Sequence, residues 1–163
     1  MSDLGHHQET SALVAALPDA VFAYVDDPRR LSAHMEKSSW AMGGARMKIR
    51  LDEAAGRAAG SKIGLAGRAF GVELSLEEVV VERTPPQRKV WQTIGSPRLL
   101  VIGHYRMGFD LAPRGKSSLL RVFIDYALPE QGIGRWLGRL FGRAYAAWCT
   151  RRMVNDAVLY FGG

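Results

Sequence analysis

Between residues 44 and 128 apolar and polar positions alternate with the period of two that marks strands buried on one face. The clearest case places Ala45, Met47, Ile49 and Leu51 on one side and Arg46, Lys48, Arg50 and Asp52 on the other. Strand-like stretches follow over 63–72, 73–82, 89–94, 99–111 and 119–128, punctuated by Thr84-Pro-Pro-Gln87, Gly95-Ser-Pro97 and the turn at 113–117. With an opening run over 11–17 this makes about seven strands, and their short connections predict an antiparallel meander. Gly64, Gly67, Gly71, Gly103 and Gly108 fall inside the predicted strands and imply a strongly curved sheet. No helix or P-loop lysine follows them as a phosphate loop would require.

The period changes to helical in two places. Pro18-Asp19 opens a stretch with Val21, Phe22 and Val25 at helical spacing, and Pro28 opens another through Leu31, His34 and Met35. Residues 133–161 contain no proline and predict a long closing helix. On a helical wheel Trp136, Leu137, Leu140, Phe141, Trp148, Val154, Val158 and Leu159 share one broad arc, with Arg135, Arg139 and Arg143 opposite. That arc is expected to pack on the sheet, leaving the arginines as a solvated outer stripe. A salt-sensitive peripheral contact with an anionic membrane is then an addition to the fold.

The chain has 163 residues, of which 47% are hydrophobic and 23% charged, a composition that excludes disordered and collagen-like classes. Residues 1–9 are expected to form a flexible tail, with His6 and His7 mobile, and residues 10–163 one domain. A formal net charge of +6 favours anionic partners in general. Nucleic acid is not expected, since no recognition helix or ribonucleoprotein motif is present. Cys149 is the single cysteine, so no intrachain disulfide forms. With no secretory signal and no run near the roughly 20 apolar residues of a membrane span, a cytoplasmic location is expected. The four histidines lack metal-ligand spacing, so neither a metal nor a cofactor is expected.

The order of one strand, two short helices, six antiparallel strands and a long helix resembles the helix-grip fold of the START-like (SRPBCC) superfamily. That superfamily includes birch-pollen-allergen-like and polyketide cyclase/dehydrase-like proteins. The likeness covers nearly the whole chain and rests on the opening run from Ala15 to Asp27, on Pro85-Pro86 before Val90-Trp91, and on the helix after Leu128-Pro129. It implies an α+β fold in which a curved seven-stranded antiparallel sheet wraps around the C-terminal helix. It also implies an internal cavity for lipids, sterols, polyketides or quinones, without a shared catalytic motif.

Alternation assigns Met47, Ile49, Val101, Tyr105, Met107, Phe109, Val122, Ile124 and Tyr126 to the inner face. Trp91 is expected inside with Thr93, and Phe141 and Arg151 are expected to reach the cavity from the helix. Tyr105 and Tyr126 combine contact area with a hydroxyl that meets either a ligand or a backbone carbonyl. Arg151 needs a partner, either Asp26, Asp27 or Glu36, or the carboxylate or carbonyl of a ligand. His34 is a candidate gate or acid-base group near the cavity mouth, against a plain helix-surface reading. His104, Arg106, Asp110 and Asp125 fall on the outer face and predict a cross-strand polar surface. No residue is assigned a catalytic role. The chain is thus expected to bind a hydrophobic small molecule as carrier or sensor. The alternatives are a polyketide cyclase/dehydratase-type enzyme and an interaction protein for a quinone-pathway or ribosomal partner; the oligomeric state is left open.

Overall fold

A computed structural model describes residues 3–31 and 46–163 of the chain. The elements run β1 (His6–Val14), α1 (Pro18–Val25), α2 (Pro28–Leu31), β2 (Arg46–Leu51), β3 (Lys62–Ala69), β4 (Val72–Thr84), β5 (Arg88–Arg98), β6 (Tyr105–Arg114), β7 (Ser117–Tyr126) and α3 (Gly132–Gly162). The seven strands form one antiparallel sheet in the order β1-β7-β6-β5-β4-β3-β2. It is the helix-grip arrangement: a curved sheet, two short helices after the first strand, and a long C-terminal helix across the concave face. Among the described residues no helix is long and apolar enough to cross a membrane.

Curvature comes from irregular pairing between β4 and β5, where the register shifts at Ser75/Glu77 and again at Val80/Glu82. Of the glycines expected inside strands, Gly71 sits instead in the β3–β4 turn. There Phe70 and Gly71 both take positive φ, 51° and 76°, as a tight hairpin turn requires. Gly108 is needed for a different reason. A Cβ there would lie 2.6 Å from the Lys89 carbonyl oxygen and 2.9 Å from the Phe123 ring, which crosses the outer face of β6. The Arg88 and Arg121 guanidiniums stand over that ring at 5.3 and 5.2 Å.

Three sequence expectations need correction. The first strand begins at His6, so residues 6–9 are paired with β7 and are not a flexible tail. His6 stacks on Tyr126 at 5.2 Å, and His7 bonds Asp125 at 2.6 Å and Glu9 at 3.0 Å. Its inward positions include Gln8 and Thr10, and Thr10 Oγ1 meets Thr150 Oγ1 at 2.8 Å, so apolar periodicity was a poor guide to this strand. Second, β5 continues through Gly95-Ser-Pro97 to Arg98, and β6 starts only at Tyr105.

The third concerns the rotation of α3. Its buried side consists of Gly138, Gly142, Ala146, Ala147, Cys149, Thr150, Met153, Val154 and Ala157. Half of the predicted apolar arc points outward, with Trp136, Leu140, Phe141 and Leu159 exposed, while Trp148 and Val158 are half-buried against the core and Val154 is buried. Close approach explains the rotation. A Cβ on Gly138 would lie 2.8 Å from Pro129 Cδ and 2.9 Å from the Val101 carbonyl oxygen, and one on Gly142 would lie 3.1 Å from that same oxygen. Only a helix face without side chains fits there.

The seam predicts that Gly138→Val lowers unfolding free energy by about 1–3 kcal/mol through overpacking against backbone. Gly162, whose added Cβ would meet nothing within 4 Å, should accept alanine without loss. Urea denaturation of the two variants checks the contrast; equal stability would remove the close-packing account.

Candidate functional site

Parity along the strands brings a small set of polar side chains into an otherwise apolar interior. On β4, Leu74, Leu76, Glu78 and Val80 point inward as alternate residues. On β5 the inward row is Lys89, Trp91 and Thr93, and on β6 it begins with Tyr105 and Met107. From these rows Leu76, Glu78, Lys89, Trp91, Tyr105 and Met107, with Tyr145, Cys149 and Met153 of α3, line a cavity of about 70 Å³ between sheet and helix. Leu31 and Met47, on either side of residues 32–45, also line it.

Of the residues expected at the ligand site, Met47, Ile49, Trp91, Tyr105, Met107 and Ile124 line this cavity. Phe109, Val122 and Tyr126 are buried in the core but do not reach it. Val101 is half-buried in the connection between β5 and β6. Because that connection is not strand, alternation fails across it, and Leu99 and Ile102 occupy the lining instead. Phe141 and Arg151 are exposed on the outer side of α3, and among the described residues Arg151 has no ion-pair partner. The expected burial of that guanidinium followed from the wrong helical phase. His34 and Glu36 lie outside the described residues.

The cavity's polar wall is one that the sequence reading did not single out. The Tyr105 hydroxyl donates a hydrogen bond to the Glu78 carboxylate, and both side chains are buried. Burial pushes the Glu78 carboxyl up to about 7. The Tyr105 hydrogen bond, the charge of Lys89 and a contribution from Trp91 oppose that rise. Burial and the adjacent Glu78 carboxylate likewise hold the Tyr105 phenol well above its ordinary value. Near neutral pH Glu78 is therefore divided between acid and carboxylate, so it can give or take a proton.

Lys89 is 1% exposed and belongs to a second polar group. Its ammonium donates to the Asp26 carbonyl oxygen at 2.7 Å and to Asp26 Oδ1 at 2.8 Å. Arg83 donates to the same carboxylate at 3.2 and 2.8 Å. Burial opposes ionisation of Asp26, yet these two cations hold its carboxyl below the usual range. Desolvation in turn lowers Lys89, with Asp26 countering. Asp26 thus serves Lys89 and Arg83, not Arg151.

The outer face behaves as a cross-strand polar surface. Asp110 accepts from Arg88 and Arg121, Arg121 also pairs with Glu9, and Asp125 holds His7. His104, expected on this face, departs from it: it precedes β6, and its Nδ1 lies 3.1 Å from Oγ1 of the inward-facing Thr93. The carboxylates, arginines and His7 of the outer face are occupied by one another, and none of them lines the cavity.

Two stability measurements test this wall. A carboxyl raised from 4.5 to about 7 binds its proton more tightly in the folded state. Its contribution is therefore present at low pH and is lost as pH rises from 4.5 to 7. The wild type should lose roughly 3 kcal/mol over that window relative to Glu78→Gln; parallel pH profiles would show that Glu78 titrates normally. Asp26→Ala leaves Lys89 buried without its counter-ion and should cost about 3–5 kcal/mol in denaturant unfolding. A loss below about 1 kcal/mol, the scale of a surface pair, would overturn the buried-pair assignment.

Comparison with known proteins places the geometry in a wider set. The chain matches no protein-family model and no curated protein. Among solved structures it is similar to norcoclaurine synthase from Thalictrum flavum, with a TM-score of 0.63 and 14% identity over 95% of this chain and 85% of that one. It is also similar to the di-domain ARO/CYC StfQ of the steffimycin biosynthetic pathway, with a TM-score of 0.68 and 12% identity over 96% of this chain and 50% of that one. A third likeness is to Ara h 8.0201, with a TM-score of 0.60 and 10% identity over 96% and 97% of the two chains. At such identities the likeness is one of fold, and that fold is the helix grip.

Proposed function

We propose that the chain binds a small, mostly apolar molecule in the cavity between sheet and α3, as a carrier or sensor, with Glu78 and Tyr105 gripping the ligand's one polar group. The observation that carries this reading is the buried carboxyl–phenol pair on the wall of an otherwise apolar space. Such a site orients a ligand through few polar contacts while apolar burial supplies affinity. A cavity of about 70 Å³ is small beside the roughly 300–1,000 Å³ of drug-sized sites. The ligand is accordingly compact, or it displaces the flexible Met47, Met107 and Met153 that line the space.

Calorimetric titration at pH 7 with short fatty acids, alkylphenols and aromatic amines tests binding. The methyl NMR signals of the three methionines report occupancy of the cavity. At least one class should bind and shift those signals. Glu78→Gln and Tyr105→Phe should each weaken it about tenfold, or 1.4 kcal/mol, but leave analogues lacking the polar group unaffected. If no probe moves the methionine signals, and native mass spectrometry of protein purified from its own host finds no stoichiometric ligand, the reading fails.

One observation favours a second reading. A carboxyl with a pKa near 7, next to a phenol, is matched to proton transfer at neutral pH. Two structural neighbours are named as norcoclaurine synthase and ARO/CYC, which agrees with an enzyme of cyclase/dehydratase type. Glu78 would remove or return a proton α to a carbonyl, and the Tyr105 hydroxyl, turning from Glu78 to the ligand, would donate its one hydrogen to the oxygen where negative charge develops. Exchange of α-protons for deuterium in a bound aryl ketone, followed by NMR, should rise through pH 7 and vanish in Glu78→Gln. Exchange no faster than in buffer would leave binding alone.

A further inference from the structure

The outward side of α3 carries a feature that cavity binding does not use. Ile133, Trp136, Leu140 and Phe141 are 76%, 70%, 66% and 54% exposed; at helical spacing Ile133, Trp136 and Leu140 lie opposite Gly138 and Gly142, and Phe141 lies at the margin of that face. Arg135, Arg139 and Arg143 run alongside them at successive turns, all exposed. From Gly132 to Asn155 the helix contains five arginines and no Asp or Glu. Its ion pair, Arg152 with Asp156, lies further along. Among the described residues no carboxylate pairs with Arg135, Arg139 or Arg143.

We propose that this face of α3 docks on an anionic lipid surface, with Trp136, Leu140 and Phe141 entering the interface and Arg135, Arg139 and Arg143 held at the phosphates. The charge pattern selects the occupant. A second copy of the helix would bring two unneutralised arginine rows together, whereas a lipid surface supplies the missing anions at high density. The apolar members are also of the kind that partitions at the boundary, with an indole and a phenyl ring beside leucine. The glycine seam keeps these side chains outward, because rotating α3 to bury them would drive side chains into the Val101 carbonyl and Pro129. Docking therefore needs no unfolding or helix rearrangement, and it goes beyond the ligand-binding reading because it uses none of the cavity residues.

Co-sedimentation of the full chain with vesicles of phosphatidylglycerol and phosphatidylcholine, against phosphatidylcholine alone, tests the proposal. Binding should require the anionic lipid, fall steeply between 50 and 500 mM salt, and blue-shift a tryptophan emission that Trp136→Phe removes. The triple variant Arg135→Gln/Arg139→Gln/Arg143→Gln should partition about a hundredfold more weakly. Trp136→Ala/Phe141→Ala should lose binding while keeping the wild-type circular dichroism spectrum and urea midpoint, since both side chains are exposed. Three results would overturn the proposal: no binding at low salt, equal binding to neutral vesicles, or sedimentation velocity showing a dimer that the same apolar substitutions dissolve. The last would assign the face to a second copy.

Discussion

The close approach of α3 to the loop before β6 is the constraint on which the rest of this architecture depends. Gly138 and Gly142 let the helix backbone settle against the Val101 carbonyl, Leu128 and Pro129, at separations that a side chain would block. Helix rotation is thereby fixed at one end. Farther along, the same rotation sends Tyr145, Cys149 and Met153 to the cavity and Thr150 to its hydrogen bond with Thr10. The large apolar residues of the first three turns are left outside for the same reason.

Within that frame the interior accommodates charge by pairing it. Asp26 joins α1 to β4 and β5 through Arg83 and Lys89, so the short helices are tied to the sheet by an ion cluster as well as by Phe22 packing edge-on against Phe109. Lys89 also lines the cavity, and its charge favours the Glu78 carboxylate. The two polar groups are thus linked electrostatically: neutralising Asp26 would change the field at Glu78 as well as the folding free energy.

Much of the sheet was legible because alternation directly records which face is buried, as β2, β6 and β7 illustrate with Met47, Met107 and Ile124. The same rule would have identified Glu78, which lies on the parity of Leu74, Leu76 and Val80, and Lys89, which shares that of Trp91 and Thr93. A charged residue on an inward row is easily passed over when rows are traced by their apolar members. Val101 was misplaced because parity cannot be carried across a loop. The helix misled for a different reason. Helical wheels weigh size and hydrophobicity, whereas this helix is seated by glycine and alanine, whose contribution is distance. Their seam, spaced four residues apart, was visible in the sequence, but the backbone it meets comes from a distant part of the chain. Polar β1 was shortened because an edge strand needs backbone partners more than an apolar row.

The division of α3 into a seated side and an outward side has an evolutionary consequence. Substitutions at Trp136, Leu140, Phe141 or the adjacent arginines touch neither the cavity lining nor the glycine seam. Those at Tyr145, Cys149 or Met153 alter the cavity without changing the outer face. Selection can therefore adjust where the protein resides and what it holds almost independently, on opposite sides of a single helix. Lineages sharing this fold could keep one trait while the other diverges, provided that the glycines between them remain.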